Sequence, residues 1–521
     1  MRARAGWIGL VVLGVVSVLV FWIFEALPFK DLPAHAGFIA MRHRYAESAF
    51  EQRFYVFAPH LGPYSLFQFL GEGFGRVVGP LGAVRALATL PIIATPLALL
   101  FARRRLYQDR SPVFGFIGLM LSFNVMTALG FASYLLGVAV MLVGLTLWLE
   151  LLVATDNRAP NLRRRELVMA AYAPFIFVAH GHAFVLFLVC AGVACVAAGN
   201  IRARLLRLWV LAPAIGFVAW VGRGVTTPGS GSRLWLVYVS FFDKLGLLGT
   251  STLMTYSGVD AIISMLVLIF TMVSARLTVP TLFAFSRTGV GAERATDDAR
   301  HSRALYVSAL VLLLAFLALP RTINWFALVD LRIVPLVVIL PLLAIQRATL
   351  PRPLTRLLDA GAPICAATIV LVAMVASYKF QAEASGFREV LARVPAEARL
   401  LNLPLDPKSE IFLSRPFVHY DKLPLIERPI IVSDIWFQPA TAIYPTPQNP
   451  VLRLPSSYHE DALEKIDWPA YHLDDWDFVL IRTKPSATQP STPDSLVLDT
   501  HKGGWWLFRR VAASYAPSRP L

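Results

Sequence analysis

Long apolar runs recur along most of this chain, and they constrain the fold more than any other feature. Stretches such as Trp7–Leu27 and Leu81–Ala102 are long enough to cross a hydrocarbon core about 30 Å thick as helices. Only helices or closed barrels satisfy their backbone groups in lipid, and unbroken apolar runs point to helices. Composition agrees: 56% of the 521 residues are hydrophobic and 16% are charged, against about 25% charged in soluble domains.

The 48 Lys and Arg outnumber the 33 Asp and Glu, for a net charge of +15. The basic residues sit between the apolar runs, not together on a soluble surface. Arg103-Arg104-Arg105, Arg158 with Arg163–Arg165, Arg202/Arg204/Arg207 and Arg347/Arg352/Arg356 form the densest groups. That is the loop pattern of cytoplasmic retention, and it argues against a nucleic-acid partner. Cys190, Cys195 and Cys365 all fall in apolar runs, without the spacing of a zinc site or redox pair.

With the basic groups as cytoplasmic anchors, about eleven spans are expected, near 7–27, 81–102, 112–128, 131–154, 167–181, 183–199, 208–223, 259–285, 304–319, 329–346 and 360–378. The N-terminus is then cytoplasmic and the C-terminus outside. The expected domains are an all-α polytopic membrane domain over 1–378 and an extracytoplasmic α/β domain over 379–521. The latter shows ordinary soluble composition, a helix at Phe387–Val394 leading into a strand at Ala398–Leu403, and strand-like runs at Pro429–Ser433 and Asp477–Arg482. Two outer loops exceed mere connections. Loop 28–80 contains an amphipathic piece, Tyr64–Val78, suited to lying along the interface. Loop 224–258 carries Thr226–Ser232, then Trp235, Tyr238, Phe241 and Phe242.

Ionisable residues on the outer side are the candidates for chemistry, since such groups beside a membrane are costly unless paired, hydrated or used. Asp31 follows the first span and precedes Pro33, where it serves either as a helix N-cap or as a general base. His35 lies four residues on. His180 and His182 fall at the junction of two spans, where they mark the interface or contact a phosphate; no local carboxylate or cysteine supports a metal. Arg332 is suited to bidentate phosphate contact or to pairing with Asp330. His60 and Glu72 in the first loop are further candidates, while Arg85 and Asn124 read as buried polar groups within spans. All eight outer residues being on one side, a shared cavity is expected, suited to transferring a group from a lipid-linked phosphate.

The layout resembles the GT-C superfamily of lipid-phosphosugar-dependent glycosyltransferases, the group of protein O-mannosyltransferases, oligosaccharyltransferase catalytic subunits and aminoarabinose transferases. The resemblance rests on Asp31-Leu-Pro-Ala-His35, Phe131–Gly137, His180-Gly-His-Ala-Phe184, Asp330-Leu-Arg332, Trp476–Arg482 and Gly504–Phe508. It implies a polyprenyl-phosphate sugar donor, Asp31, His35 and Glu72 as catalytic residues, and His60, His180, His182, Asp330 and Arg332 as substrate-binding ones. Many members carry a pair of acidic residues in the first loop. Here Leu32 and Pro33 follow Asp31, so Glu72 is the candidate second carboxylate, and a divalent cation is the one cofactor left open. A bacterial inner membrane is the expected location. The rival readings are a non-enzymatic envelope scaffold and another polyprenyl-linked glycan transferase or polymerase. A transporter is disfavoured by the lack of an internal repeat.

Overall fold

A computed structural model describes residues 2–58, 61–197, 200–223, 235–284, 292–324, 326–434, 442–461, 463 and 465–511, and every statement below concerns these. The chain forms two compact units. The first comprises 1–23, 61–67 and 87–376; the second comprises 24–60, 68–86 and 377–521, so the first loop shares a unit with the C-terminal segment.

The first unit is helical. Each expected span coincides with a helix, and seven helices of the described chain are long and apolar enough to cross a membrane: Arg4–Trp22, Ser65–Tyr107, Ala132–Asp156, Ile201–Arg223, Gly258–Val279, Thr296–Ala318 and Arg352–Glu383. Val113–Ser122, Gly181–Ala197 and Leu331–Ala344 are apolar but shorter. The protein is thus a multi-pass membrane protein. Two boundaries differ from expectation for local reasons. The first helix ends at Trp22, because Ala26, Leu27 and Phe29 are buried in the second unit instead. The run 112–128 is broken after Ser122, where the Asn124 side chain accepts from the Met126 and Thr127 amides and opens a new turn. Asn124 is therefore a cap.

The basic loops converge at one end of this bundle, as a common side requires. Arg103, 2% exposed, donates to the Leu343 and Ile345 carbonyls and pairs with Asp109 at 2.9 Å. Arg204 forks onto Asp156, Arg207 pairs with Glu166, and Arg105 with Glu150. Arg300 also approaches Asp156, and Ser302 bonds the Ala344 carbonyl. Charge-assisted contacts of this kind join six helix ends, and each of these guanidinium groups has a carboxylate within reach.

The second unit is built on a five-stranded mixed sheet in the order Ile431–Val432, Arg399–Pro404, Phe478–Arg482, Trp505–Arg510, Leu496–Lys502. The first two pairings are parallel and the last two antiparallel. The two central strands, LLNLP and FVLIR, are buried along their length, as strands covered on both faces must be. First-loop residues are woven into this unit. Tyr55–Phe57 pairs antiparallel with Ile443–Pro445, Tyr420 donates to the Leu27 carbonyl, and Gln381 bonds the Ala26 amide and carbonyl. The Leu32–Arg44 helix packs against 416–426, with Gly37 so close to Leu425 that a Cβ there would lie 3.1 Å from its side chain. The helix Ser65–Tyr107 is broken at Gly79, whose φ of 73° is open to glycine. The break separates the amphipathic Tyr64–Val78 piece from the apolar run after it.

Gly504 sits in the tightest place. A Cβ there would come 1.7 Å from an Arg482 guanidinium nitrogen and 2.2 Å from the Thr483 carbonyl. Arg482 is itself clamped between the Phe417 and Trp505 rings. Gly504→Ala is expected to destabilise the second unit by about 1–3 kcal/mol, seen as an earlier tryptophan-fluorescence melt. Gly73→Ala, with nothing within 4 Å of the added carbon, serves as the control.

Candidate functional site

The sequence candidates assemble into two groups, one in each unit, and His60 lies outside the described residues.

In the first unit, Arg332 is 8% exposed and follows Asp330 in a short 3-10 turn leading into Val334–Ala344. The pairing of these two neighbours does not form. Asp330 accepts from its own Leu331 amide, meets Arg321 at 2.6 Å and faces Lys244 at 3.6 Å. Arg332 instead lies between the rings of Phe326 and Phe131, at 4.3 and 4.8 Å. Its guanidinium hydrogen-bonds the Tyr64 hydroxyl, and Tyr134 donates to its backbone carbonyl. Its Nε and one terminal nitrogen have no hydrogen-bond partner among the described residues.

The two histidines divide the roles that the sequence left undivided. His180 is 1% exposed, packs edge-on against Tyr64 and Tyr134, and accepts the His182 amide at its Nδ1. It opens the Gly181–Ala197 helix and is held against Gly137, where a Cβ would lie 2.4 Å from its own. His182 packs on Tyr134 and Phe326, and its Nε2 has no partner among the described residues. A buried guanidinium and an imidazole with unengaged nitrogens, walled by aromatic rings, form an arrangement suited to an anion such as phosphate.

In the second unit, Asp31 is 5% exposed and stands at the N-cap of Leu32–Arg44, with Pro33 behind it. Its side chain makes no capping bond. One carboxylate oxygen lies 3.6 Å from Nε2 of His419, whose Nδ1 lies 3.3 Å from Glu460. Lys30 beside it pairs with Asp461 at 2.5 Å. Burial works against the Lys30 ammonium, but Asp461 and Asp31 outweigh it and raise its pKa. Burial and then Lys422 hold His419 well below its usual range, so its imidazole is neutral.

Behind His419, Lys422 contacts Glu460 at 2.7 Å and Asp421 at 3.0 Å. Burial and the neighbouring Glu460 raise both Asp421 and Asp434 above the ordinary carboxylate range. Glu460 is fixed by Asn402 and Tyr458, which donate to Oε1 at 3.1 and 3.0 Å. Sequence reading missed His419, Lys422, Asp434 and Glu460. Their segments, His419–Lys422 and His459–Asp461, carry adjacent charges that invite attention, but their spacing gives no sign that the fold joins them.

Glu72 pairs with His43 and Arg76, each at 3.2 Å. Arg85 donates to the Phe24 carbonyl. His35 is largely buried on the first-loop helix; burial and then Arg42 lower its pKa to about 4.

No family model matches the sequence, and no curated protein matches it. Comparison of folds does find a counterpart. The crystal structure of ArnT from Cupriavidus metallidurans in the apo state aligns with 98% of this chain and 98% of its own, at a TM-score of 0.50 and 12% identity. The fold is like that of ArnT. Two further structures match: the mycobacterial arabinofuranosyltransferase AftD, at 15% identity and TM-score 0.44 over 96% of this chain and 40% of that one, and the Archaeoglobus fulgidus oligosaccharyltransferase in the apo form, at 11% and 0.43 over 92% and 69%. The resemblance read from the sequence motifs is met, in the ArnT structure, by a likeness of fold alone.

The lowered His35 pKa fixes a pH dependence. The unfolded chain binds a proton here near pH 6.5 and the folded chain only near 4. Stability from this group is therefore complete above pH 6.5 and is lost as pH falls toward 4, by up to about 3 kcal/mol. His35→Gln is expected to flatten that limb of a stability-against-pH curve measured by thermal unfolding.

Proposed function

We propose that this protein is an inverting glycosyltransferase that moves a sugar from a polyprenyl phosphate to an acceptor hydroxyl at the extracytoplasmic face of a bacterial inner membrane. The observation that carries the reading is Arg332. It is a buried cation on a GT-C-like bundle, with guanidinium nitrogens unengaged among the described residues and His182 beside it. Asp330 is neutralised by Arg321 and Lys244, which leaves Arg332 for an external anion.

In this reaction the acceptor oxygen attacks the anomeric carbon as the bond from that carbon to the phosphate oxygen breaks. Arg332 and His182 receive the charge that develops on the departing polyprenyl phosphate. Asp31 takes the proton of the acceptor hydroxyl. Its carboxylate suits that task because it is buried at the start of its helix, 3.6 Å from Nε2 of His419. His180 supports the phosphate contact by fixing the turn that carries His182. The domain division at about 378 and the outward placement of the C-terminal segment belong to the same proposal.

Mass spectrometry of added polyprenyl-phosphate sugars on the purified protein checks the anion site. Wild type is expected to retain them selectively, and Arg332→Ala to weaken retention at least tenfold. Asp31→Asn is expected to keep that retention and to lose about 10²–10⁴ in transfer rate in a reconstituted assay. Full transfer by Asp31→Asn would remove Asp31 as the base, and no retention of any carrier would favour a scaffold.

A further inference from the structure

Three side chains of the second unit converge without an assigned task. A ring nitrogen of His419 and carboxylate oxygens of Asp434 and Glu460 all lie within 4.8 Å of one another. They come from three separate places: the 416–426 turn, the residue following the Ile431–Val432–Ser433 segment, and the loop after Pro450–Arg453. Local sequence does not produce such a meeting; the sheet brings the three segments together.

The charge in this place does not balance. Asp421, Asp434 and Glu460 face one ammonium, that of Lys422. Lys30 is engaged nearby with Asp461 and Asp31. Three carboxyl groups around one ammonium outnumber the cation that faces them, and a second cation would find several oxygens within reach.

We infer that His419, Asp434 and Glu460 form a binding site for one divalent metal ion. The donor set of one imidazole nitrogen and two carboxylates favours a first-row ion such as Zn²⁺ or Mn²⁺ over Mg²⁺ or Ca²⁺, which take oxygen ligands. Ligand atoms about 2.1 Å from an ion lie at most about 4.2 Å apart, so the three close on it by small rotations of their side chains. Two of the three are pre-oriented. Asn402 and Tyr458 grip Glu460 through Oε1, while Oε2 faces His419 at 3.3 Å and accepts from Lys422 at 2.7 Å, and Asp31 lies against the far nitrogen of the His419 ring. Outer partners of this kind are how proteins aim metal ligands. Asp434 is only partly buried and provides the ion's way in, while Lys422 keeps Asp421 as its partner. The site stands independently of the glycosyltransferase reading, because its residues and its test involve no lipid and no sugar.

The test uses the full chain, purified in detergent with an affinity tag free of histidine. It is stripped with a chelator and equilibrated separately with Zn²⁺, Mn²⁺, Mg²⁺ and Ca²⁺. Metal content after gel filtration is read by elemental mass spectrometry, and Co²⁺ loading by its visible absorption. Wild type is expected to retain one Zn²⁺ or Mn²⁺ per chain. Asp434→Asn and His419→Gln are expected to weaken it at least tenfold, while His182→Gln leaves it unchanged. If His419→Gln does not fold, Asp434→Asn decides, since its side chain is partly exposed and nearly isosteric. Retention of no metal by wild type, or equal retention by wild type and a folded Asp434→Asn, overturns the site.

Discussion

Charge inside an apolar bundle must find a partner, and that constraint orders the first unit. At one end the requirement is met almost completely: Arg105, Arg204 and Arg207 each reach a carboxylate from a neighbouring helix, and Arg103 reaches Asp109 in the connection after its own helix. These contacts tie the loops together where the chain would otherwise fray. The same rule makes Arg332 informative. Asp330, two residues away, is taken by Arg321 and Lys244, and aromatic faces rather than carboxylates surround the Arg332 guanidinium. Among the arginines named here, Arg332 is the one that meets aromatic rings and a tyrosine hydroxyl in place of a carboxylate, and in the proposed reaction the donor phosphate would supply the missing charge.

The second unit handles charge differently. Its polar groups are not spread over helix ends but drawn into one place, where His419 stands between Asp31 and Glu460. The parallel pairing of Arg399–Pro404 with both neighbours brings Asn402 of that strand together with Ser433 and Asp434, which follow the Ile431–Val432 strand. Hydrogen bonds from Asn402 to Glu460 and to the Val418 carbonyl then lock the 416–426 turn against the sheet. Asp31 is thereby placed by groups distant in sequence as well as by its own helix.

Much of this was legible in the sequence. Apolar run length located the long helices of the bundle, because lipid permits little else, and the arginine groups foretold that one end would gather them. Phe131, His180, His182, Asp330 and Arg332 could be named because each is a polar or aromatic residue at the edge of an apolar run. What periodicity could not supply was pairing. Nothing in Asp330-Leu-Arg332 says that the aspartate turns to Arg321 and Lys244 instead of its near neighbour. Likewise, Glu460 reads as one acidic residue in a charged soluble stretch until the sheet carries it to His419. Asn124 looked like buried glue because composition cannot tell a cap from a core amide. The second unit's inclusion of the first loop was equally invisible, since the two segments are separated by nearly the whole bundle.

That last feature has a consequence for how the protein is made. The first loop leaves the ribosome early, yet the Tyr55–Phe57 strand, the Leu27 carbonyl and Asp31 obtain their partners only when residues 419–461 have been synthesised. Until then the loop has a helix but no surroundings, and whatever chemistry Asp31 supports is withheld. The late segment therefore supplies, to a loop made long before it, the strand partner, the hydroxyl donor and the imidazole that complete its surroundings.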